Sequence, residues 1–336
     1  MTDEPKQLPE KCCAKCCWYG PNRGDAINEC SDKQCYRHGG WTDDEMVCEE
    51  FLPPTATECN VPQMTPNGTM DFKNENEVDG PVEILIVTFA KDFPWLEWAL
   101  KCIKKHATGF AGVTIAHPAH EAALFNALHS RFDVRLHAYD ECPGKGFLHH
   151  EAKMAEADLI VPAGTKYVMH MDADCMMKMS NEPRDYFLHD KPIYIWRTWD
   201  SLASTDPRDP TKKVVSDCVM WKEPTRAQLG FDSCAYAMTR HPTLFPIEFY
   251  QWYRNHIADH HQMTFEQYML SGNRNTHPQD RMDFTAMGAF AYEKMRDKFT
   301  WINCATEEYP ADRMRAYHSH SGFNPVVLAE INSFLK

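Results

Sequence analysis

The segment Tyr167-Val-Met-His-Met-Asp-Ala-Asp-Cys175 decides the fold of this chain, because a mostly apolar run meets two acidic residues in it. A short apolar run is typical of a buried β-strand. The run ends at Asp172 and Asp174, which stand one residue apart. In an open parallel sheet, ligands bind at the carboxyl ends of the strands. We therefore expect these two carboxylates to line a site at that edge, where they suit a hard divalent cation.

Strand and helix patterns alternate on both sides of this segment. We predict strands over residues 82–89, 112–117, 134–139, 167–171, 192–198 and 299–304, and helices over 93–106, 120–131, 147–157, 246–260, 264–270, 284–298 and 325–335. Such alternation predicts βαβ units and a parallel sheet. The expected fold class is therefore α/β, with a Rossmann-like, mostly parallel central sheet. Residues 200–213 are rich in Asp, Pro, Ser and Thr, which predicts a long loop that could serve as a lid.

Composition divides the chain into three segments. Residues 1–52 are rich in cysteine and form a predicted zinc module, and residues 53–80 have the composition of a linker. Residues 81–336 carry the strand and helix patterns and form the predicted α/β domain. This division predicts one large domain that is preceded by a small, separate module.

The cysteine-rich segment favours a structural zinc site, since seven of the 14 cysteines lie between residues 12 and 48. A Cys-x-x-Cys pair with two later cysteines is typical of tetrahedral zinc sites. The preferred ligand set is Cys13, Cys16, Cys35 and Cys48, and Cys30 could replace Cys35. A segment this small would depend on the metal for its folding. Free thiols in a disordered tail, or an iron–sulfur cluster, are the alternatives.

Charge and hydropathy argue against nucleic acid and membrane as general partners of this chain. The net charge is -13, and residues 1–80 contribute most of it, with 7 basic and 16 acidic residues. Non-specific nucleic-acid binding depends on a cationic surface, which this composition does not indicate. No apolar run approaches the roughly 20 residues that cross a bilayer, and residues 1–6 lack the features of a secretory signal. We expect a soluble protein of the cytoplasm without a membrane span.

Residues 81–323 resemble the glycosyltransferases of the GT-A fold. The resemblance rests on Asp172-Ala-Asp174, on Tyr317-His-Ser-His-Ser-Gly322 and on the segment from Asp280 through Asp283 to Gly288. It implies that Asp172 and Asp174 hold Mn²⁺ or Mg²⁺ against the diphosphate of a nucleotide sugar, with a UDP-sugar as the first candidate donor. It also implies a metal-binding histidine near the C-terminal end.

The chemistry of such a transfer explains why these residue types are suitable. A departing nucleoside diphosphate gains negative charge, which a divalent cation stabilises as a Lewis acid. Carboxylates suit Mg²⁺ or Mn²⁺, and an imidazole ligand favours Mn²⁺. Of His318 and His320, we expect at most one to bind the metal. The family position favours His320, and two surface histidines without a metal role are the alternative.

The nucleotide side of the site is predicted at the end of the first strand. Sheet geometry places Thr88, Phe89 and Asp92 beside the base and the ribose. The alternative is a helix N-cap at Asp92 with Pro94 in the first turn. The resemblance also implies a basic residue toward the nucleotide on the helix before the metal strand, which would be Lys153. The alternative for Lys153 is an ordinary solvated lysine.

The acceptor side is predicted around residues 280–288. An inverting transferase needs a carboxylate base for the acceptor hydroxyl, with Asp283 as the first candidate and Asp280 as the second. A helix N-cap at Asp283 is the alternative, and a retaining enzyme would not need this base. Cysteine modules that end in Cys-x-x-Phe, as in Cys48-Glu-Glu-Phe51, resemble those of phage proteins. That resemblance implies a hydroxylated base in phage DNA as the acceptor, in the host cytoplasm, with polysaccharide or protein as the other acceptors.

Two other functions compete with sugar transfer. A nucleotidyltransferase of similar fold would also hold a metal with paired carboxylates. Such enzymes usually carry a glycine-rich phosphate loop early in the domain, and residues 81–110 contain none. The third hypothesis is a non-catalytic, zinc-dependent interaction protein with a degenerate transferase body. The intact pair of Asp172 and Asp174 argues against it.

Overall fold

A computed structural model describes residues 78–336, apart from 143, 207–208, 239–241, 274–279, 308–312, 318 and 320–321. The predicted zinc module and nearly all of the predicted linker lie outside the described residues. The module's candidate ligands are therefore not described, namely Cys13, Cys16, Cys30, Cys35 and Cys48. The division of the chain at residues 52 and 80 stays a prediction.

Strands and helices alternate in the first half of the described chain, as the sequence predicts. In chain order they are β1 (Val82–Val87), α1 (Phe93–His106), β2 (Gly112–Pro118), α2 (Ala122–His129), β3 (Arg135–Tyr139), α3 (Gly146–Met154), α4 (Ala157–Ile160) and β4 (Tyr167–His170). The predicted helix over 93–106 is confirmed at both ends. The predicted helix over 147–157 is shorter in the structure, and α4 follows it as a separate turn.

The second half is less regular. It contains β5 (Cys175–Met177), β6 (Phe187–Leu188), β7 (Lys191–Thr198), β8 (Ala203–Asp206), β9 (Asp209–Val215), α5 (Lys222–Leu229), β10 (Ala235–Tyr236), β11 (Thr243–Pro246), α6 (Glu248–His261), α7 (Phe265–Leu270), α8 (Phe284–Lys294), β12 (Thr300–Asn303), β13 (Met314–Ala316) and α9 (Pro325–Phe334). Among the helices that the structure describes, none combines the length and the apolar character that crossing a bilayer requires.

The central sheet has five strands in the order β11-β4-β1-β2-β3. The pairs β1–β2, β2–β3 and β1–β4 are parallel, and only the edge strand β11 is antiparallel. This confirms the predicted α/β fold with a mostly parallel sheet. The chain runs outward from β1 through β2 and β3, then returns to the other side of β1 to form β4. The strand order therefore reverses between β1 and β4, and ligands bind at such a switch point in open α/β sheets.

Alternating side chains of β1 pack into two separate hydrophobic cores, one on each face of the sheet. Ile84 and Ile86 join a core with residues of α1 and α2, such as Leu96. Leu85 joins a second core with residues of α6 and α8, such as Phe249. All six residues of β1 are buried, which is expected for a parallel strand that helices cover on both faces. The sheet is thus held rigidly between two helical layers, and its carboxyl edge stays available for a site.

Smaller sheets complete the second half. β7 pairs with β10 and β12, and β6 extends it. β8 and β9 form an antiparallel hairpin, so the prediction of a long loop over 200–213 is wrong. Asp206 and Asp209 face each other where the two strands pair, so cross-strand pairing outweighs the low strand propensity of these residues.

Candidate functional site

The acidic pair predicted from the sequence lies at the carboxyl end of β4. The Met171 N–H donates to Leu85 O at 3.1 Å, which continues the parallel ladder one residue beyond the strand. The chain then turns, and the Cys175 N–H donates to Asp172 O at 3.0 Å. This turn brings together donor atoms of Asp172, Asp174 and Cys175, which lie within 4.8 Å of one another. The arrangement offers two carboxylates and a thiol to a cation.

Both carboxylates are half-buried, whereas Cys175 is fully buried. A half-buried carboxylate is accessible to a ligand and still partly shielded from water, which strengthens its attraction for a cation. The thiol was not anticipated as part of this site. Its place directly after the Asp-x-Asp motif is the signal that would have indicated it.

A second segment holds Asp174 from the C-terminal side. β13 pairs with β5 in antiparallel register, so that Ala316 faces Cys175. The Tyr317 N–H then donates to Asp174 O at 3.0 Å, and the Ser319 N–H donates to Asp174 Oδ2 at 2.8 Å. A backbone donor on a candidate ligand fixes the orientation of its carboxylate. The segment over 314–319 therefore positions Asp174.

The predicted metal-binding histidines belong to this same segment by sequence. His318 and His320 lie outside the described residues, so their role stays a prediction. Their neighbours Tyr317 and Ser319 do contact Asp174. The chain thus passes close to the acidic pair at the place where the resemblance implies a histidine ligand.

The turn after β1 lies beside the acidic pair, because β1 and β4 are adjacent and parallel. The Thr88 N–H donates to Ala116 O at 2.9 Å, and the Ala90 N–H donates to Glu121 Oε2 at 2.6 Å. These two bonds tie the turn to β2 and to the loop after it. The sequence pattern did not indicate that Glu121 belongs to this region. Its carboxylate stabilises the turn by accepting a hydrogen bond from the Ala90 N–H, although Glu121 lies in a different part of the chain.

Asp92 occupies the N-cap position of α1, as the alternative interpretation predicted, but its side chain makes no capping hydrogen bond. Within the described residues, Asp92 Oδ1 and Thr88 Oγ1 are buried and have no hydrogen-bond partner. Buried polar atoms are nearly always paired in folded proteins. The turn therefore offers unused polar atoms at the switch point.

His150 is a further residue of this region that the sequence pattern did not single out. It lies on α3, and its ring meets the ring of Phe89 edge-on at 5.8 Å. Burial lowers the pKa of His150, and the negative charges of Asp172 and Asp92 oppose that shift. The two charges act on the imidazole because all three side chains gather at the carboxyl edge. The sequence signal was the His149-His150 pair on the helix before β4.

Lys153 lies one turn further along α3 and is already paired. Its Nζ is 2.6 Å from Glu156 Oε2, and both side chains are largely buried. The ammonium also lies 5.8 Å from the centre of the Tyr139 ring. The structure thus places Lys153 toward β3 in an ion pair, and its predicted role toward a nucleotide stays a prediction.

The two predicted acceptor-side acids differ in their surroundings. Asp280 accepts hydrogen bonds from the Asn273 N–H at 2.9 and 3.0 Å. Asp283 stands at the start of α8 without a side-chain capping bond. The next residue, Phe284, packs against His170 with 5.2 Å between the ring centres. Asp283 is therefore next in sequence to a residue that packs on β4, the strand that ends just before the acidic pair.

Tyr194 is a buried neighbour of Asp283. Burial raises the pKa of the Tyr194 hydroxyl above its ordinary value, and the charge of Asp283 adds to the shift. Gly288 on α8 lies against this hydroxyl so closely that an added Cβ would collide with it and with Ala237. The glycine of the Asp283-to-Gly288 segment thus lets α8 pack tightly on β7.

Comparisons with known proteins give remote likenesses only. No protein-family model and no curated protein matches the sequence. A solved 4-diphosphocytidyl-2C-methyl-D-erythritol synthase from Anaerococcus prevotii aligns at 9% identity and a TM-score of 0.36, over 69% of this chain and 91% of that one. The apo-form glycosyltransferase GlyE of Streptococcus pneumoniae aligns at 10% identity and a TM-score of 0.32, over 66% of this chain and 45% of that one.

A second 4-diphosphocytidyl-2C-methyl-D-erythritol synthase aligns at 18% identity and a TM-score of 0.21, over 28% of this chain and 46% of that one. The chain thus spans less than half the length of this protein and of the glycosyltransferase GlyE. Scores this low carry no weight for fold or function. The α/β fold is instead established by the strand order and register of the sheet itself.

Proposed function

We propose that this protein is a metal-dependent glycosyltransferase that moves a sugar from a nucleotide-sugar donor to an acceptor hydroxyl. The observation that carries the proposal is the grouping of Asp172 and Asp174 at the switch point between β1 and β4. This is the place in an open α/β sheet where nucleotides bind. A carboxylate pair there suits a cation that also holds phosphates.

The donor set fits Mn²⁺ or Mg²⁺, because Asp172 and Asp174 supply hard oxygen ligands. Mn²⁺ is the better candidate of the two, since the Cys175 thiol lies within the same group and sulfur suits a softer cation. When bound, the cation would stabilise the charge of the departing diphosphate. The chain's own contribution is to hold the two carboxylates together, with the Ser319 N–H orienting Asp174.

The nucleotide would lie against the turn after β1. Thr88 and Asp92 offer polar atoms there that no described residue pairs, and the Phe89 ring offers an apolar face. Aromatic faces stack on bases, so Phe89 is the candidate wall for the base. Lys153 remains a candidate for the diphosphate, although it would first have to leave Glu156. A UDP-sugar is the first donor to test.

Asp283 is the first candidate for the base that deprotonates the acceptor. Its neighbour Phe284 packs on His170 of β4, the strand that leads to the acidic pair. The Asp280 carboxylate accepts hydrogen bonds from the Asn273 N–H. A general base needs to reach the acceptor hydroxyl within hydrogen-bond distance. Asp280 is the second candidate, and a retaining mechanism would use neither in this role.

The competing proposal of nucleotidyl transfer is weaker for a specific reason. Phosphate-binding loops use glycine so that backbone N–H groups can approach the phosphates closely. The turn from Thr88 to Asp92 contains no glycine, and one of its N–H groups is taken by Glu121. This turn therefore favours a donor whose diphosphate is held by the cation.

The N-terminal module belongs to the same proposal as a separate part. Zn²⁺ bound by Cys13, Cys16, Cys48 and either Cys35 or Cys30 would fold the module, which would position the acceptor. The proposed acceptor is a hydroxylated base in phage DNA, with polysaccharide or protein as the alternatives. A non-catalytic, zinc-dependent interaction protein is the competing interpretation of the whole chain.

Product analysis with a panel of donors tests the proposal. The protein is incubated with Mn²⁺ and UDP-, GDP-, ADP- and CDP-sugars, and released nucleoside diphosphate and pyrophosphate are measured. We expect slow release of a nucleoside diphosphate even with water as the acceptor, and its loss in EDTA or in Asp172→Asn. Pyrophosphate release from a nucleoside triphosphate and a sugar phosphate would support nucleotidyl transfer instead. A protein that neither binds nor converts any of these compounds would support the non-catalytic interpretation.

A further inference from the structure

Three buried polar atoms at the switch point have no hydrogen-bond partner in the described part of the chain. They are Thr88 Oγ1, Asp92 Oδ1 and His150 Nδ1. Leaving a buried donor or acceptor unpaired costs about 1–3 kcal/mol, so a fold rarely leaves several close to one another. Such a group is expected where a ligand supplies the partners.

The Nδ1 of the adjacent His149 is also buried and without a partner among the described residues. The Nε2 of that ring, however, accepts a hydrogen bond from the Cys142 N–H at 3.0 Å, so the fold already uses the His149 ring. The Nδ1 of His150 has no such bond to a described residue, and its ring is held by the contact with Phe89. The two adjacent histidines therefore have different roles, and only His150 lies among the carboxylates of the switch point.

Asp92 and His150 reach the switch point from two different elements. Asp92 ends the turn after β1, whereas His150 lies on α3. Both side chains are half-buried, so each keeps some surface open to a ligand. The last torsion of Asp is broad, so Asp92 can turn its buried oxygen toward a ligand at little cost.

We propose that Asp92 and His150 together bind the ribose hydroxyls of the nucleotide, and that the site therefore selects ribonucleotides over 2′-deoxyribonucleotides. This inference rests on the proposed function. An ionised carboxylate only accepts hydrogen bonds, and a neutral imidazole donates through one nitrogen. A ribose hydroxyl can donate to Asp92 and accept from His150 at the same time. The Thr88 hydroxyl can either donate a hydrogen bond to the ribose or accept one from it.

The chemistry favours a ribose over the phosphates of a nucleotide. A phosphate oxygen has no hydrogen to give to Asp92 and would be repelled by its charge. A vicinal diol supplies two donors and two acceptors within the reach of one carboxylate and one imidazole. The loss of one hydroxyl would leave a buried polar atom unpaired again, which is the basis of strong discrimination in enzyme sites.

Binding of matched nucleotide pairs tests the inference. Affinities for UDP and 2′-deoxy-UDP are measured by calorimetry with saturating Mn²⁺, alongside the GDP, ADP and CDP pairs. For the nucleotide that binds, we expect the ribose form to bind at least about tenfold more tightly, since a hydrogen bond to a charged group is worth about 1.5–3 kcal/mol. A wild-type protein that binds both forms equally would overturn the inference and leave the proposed function standing.

Variants locate the effect. His150→Phe keeps a ring against Phe89 but removes the hydrogen bond, and we expect the ribose preference to vanish. Asp92→Asn should reduce the preference as well, and the double variant should add little. His129→Gln is the matched control, because His129 lies on α2 and bonds Val134 O. We expect it to keep the wild-type preference.

The outcomes separate the two proposals. An unchanged ribose preference in a folded His150→Phe protein would contradict the role of His150. His150→Gln provides a second variant if the phenylalanine disturbs folding, since it retains a hydrogen-bond donor and should keep part of the preference. Absence of any Mn²⁺-dependent nucleotide binding in the wild type would overturn both this inference and the proposed function.

Discussion

The acidic side chains at the two edges of the central sheet have different surroundings. At the amino edge, Glu83 in β1 is fully buried, and its Oε1 accepts hydrogen bonds from Thr114 Oγ1 and Arg135 Nη1, each at 2.7 Å. The row crosses β1, β2 and β3, so one carboxylate links three strands. A buried charge is tolerated when such partners compensate it. Glu83 is thus a structural acid.

The carboxyl edge brings Asp92 and Asp172 near His150, and Asp174 lies beside Asp172. Buried carboxylate oxygens without a hydrogen-bond partner among the described residues occur at both edges, namely Asp92 Oδ1 here and Glu83 Oε2 at the amino edge. The edges therefore differ in how their acids are grouped, since Glu83 pairs with Arg135 whereas Asp172 and Asp174 lie side by side. The contrast teaches that the surroundings of an acid separate structure from function better than its residue type. The amino edge pairs its acid with Arg135, and we propose that the grouped acids of the carboxyl edge bind a metal ion.

The amino edge also shows how the sequence makes room for its ion pair. Arg135 reaches Glu83 by lying over Gly112 in β2, and a Cβ at residue 112 would collide with the guanidinium. The open pocket at this edge is lined by residues such as Gly80, Gly109 and Arg184. Its lining includes one carboxylate, Glu182, which pairs with Arg184. A pair of carboxylates like that of Asp172 and Asp174 is not among these lining residues, so we place the chemistry at the carboxyl edge.

The largest expected effect is on catalysis. Asp174→Asn removes the negative charge but keeps the oxygen that accepts from Ser319. Losing one electrostatic partner of a transition state lowers turnover by about 100-fold or more. We expect that loss in nucleoside diphosphate release, with an unchanged melting temperature. A variant that keeps wild-type turnover would contradict the assignment of the carboxyl edge.

The opposite outcome is expected at the amino edge. Arg135→Ala leaves the buried Glu83 without its cation, and we expect the free energy of unfolding to fall by roughly 2–3 kcal/mol, below the usual cost because Arg135 is itself half exposed. Nucleotide binding by the folded variant should not change. Denaturant unfolding measures the first quantity and calorimetry the second.

Arg131→Ala is the matched control for that variant. Arg131 pairs with Glu97, but both side chains are partly exposed to solvent, so the loss should stay below about 1 kcal/mol. Equal destabilisation by the two variants would show that the amino edge gains nothing from burying its ion pair. It would also remove the contrast between the two edges.

The smallest expected effect is on the pH dependence of stability. Burial lowers the pKa of His149, and the charge of Lys153 adds to the shift. Because the folded-state pKa lies below the unfolded value of about 6.5, the unfolded chain binds more protons as the pH falls through that value. Stability is therefore present above this pH and is lost as the pH falls below it.

Urea unfolding at pH 7.5, 6.5 and 5.5 measures this dependence. We expect the midpoint to decrease with pH, and His149→Gln to reduce the decrease while lowering stability at every pH. The His149 Nε2 accepts a hydrogen bond from the Cys142 N–H. Protonation of this nitrogen would replace the acceptor with a second N–H donor and break the bond. A variant with an unaltered pH dependence would assign the effect to other histidines.

Much of the carboxyl edge could be predicted from the sequence. The apolar run before Asp172 indicated the strand, and the helix over 93–106 followed from its apolar periodicity and Pro94. Both signals are local, since each depends on residues within one element. Local pattern alone was therefore sufficient to predict an acidic pair at the end of a parallel strand.

The remaining parts of the site depend on contacts between distant residues. His149 and His150 carry the same sequence signal. Only the fold shows that the Cys142 N–H donates to the His149 ring, whereas the His150 ring lies near Asp172 and Asp92. The pairing of β5 with β13 joins short strands that are more than 130 residues apart, and strands so short leave little pattern to recognise. Glu121 was missed for the same reason, because it braces a turn that another strand carries.

The most direct test is to locate Mn²⁺ in crystals of the protein by anomalous scattering. We predict a peak bonded by carboxylate oxygens of both Asp172 and Asp174, between the ends of β1 and β4. A manganese peak bonded elsewhere would contradict the account. So would a structure in which both carboxylates form salt bridges and no peak appears beside them.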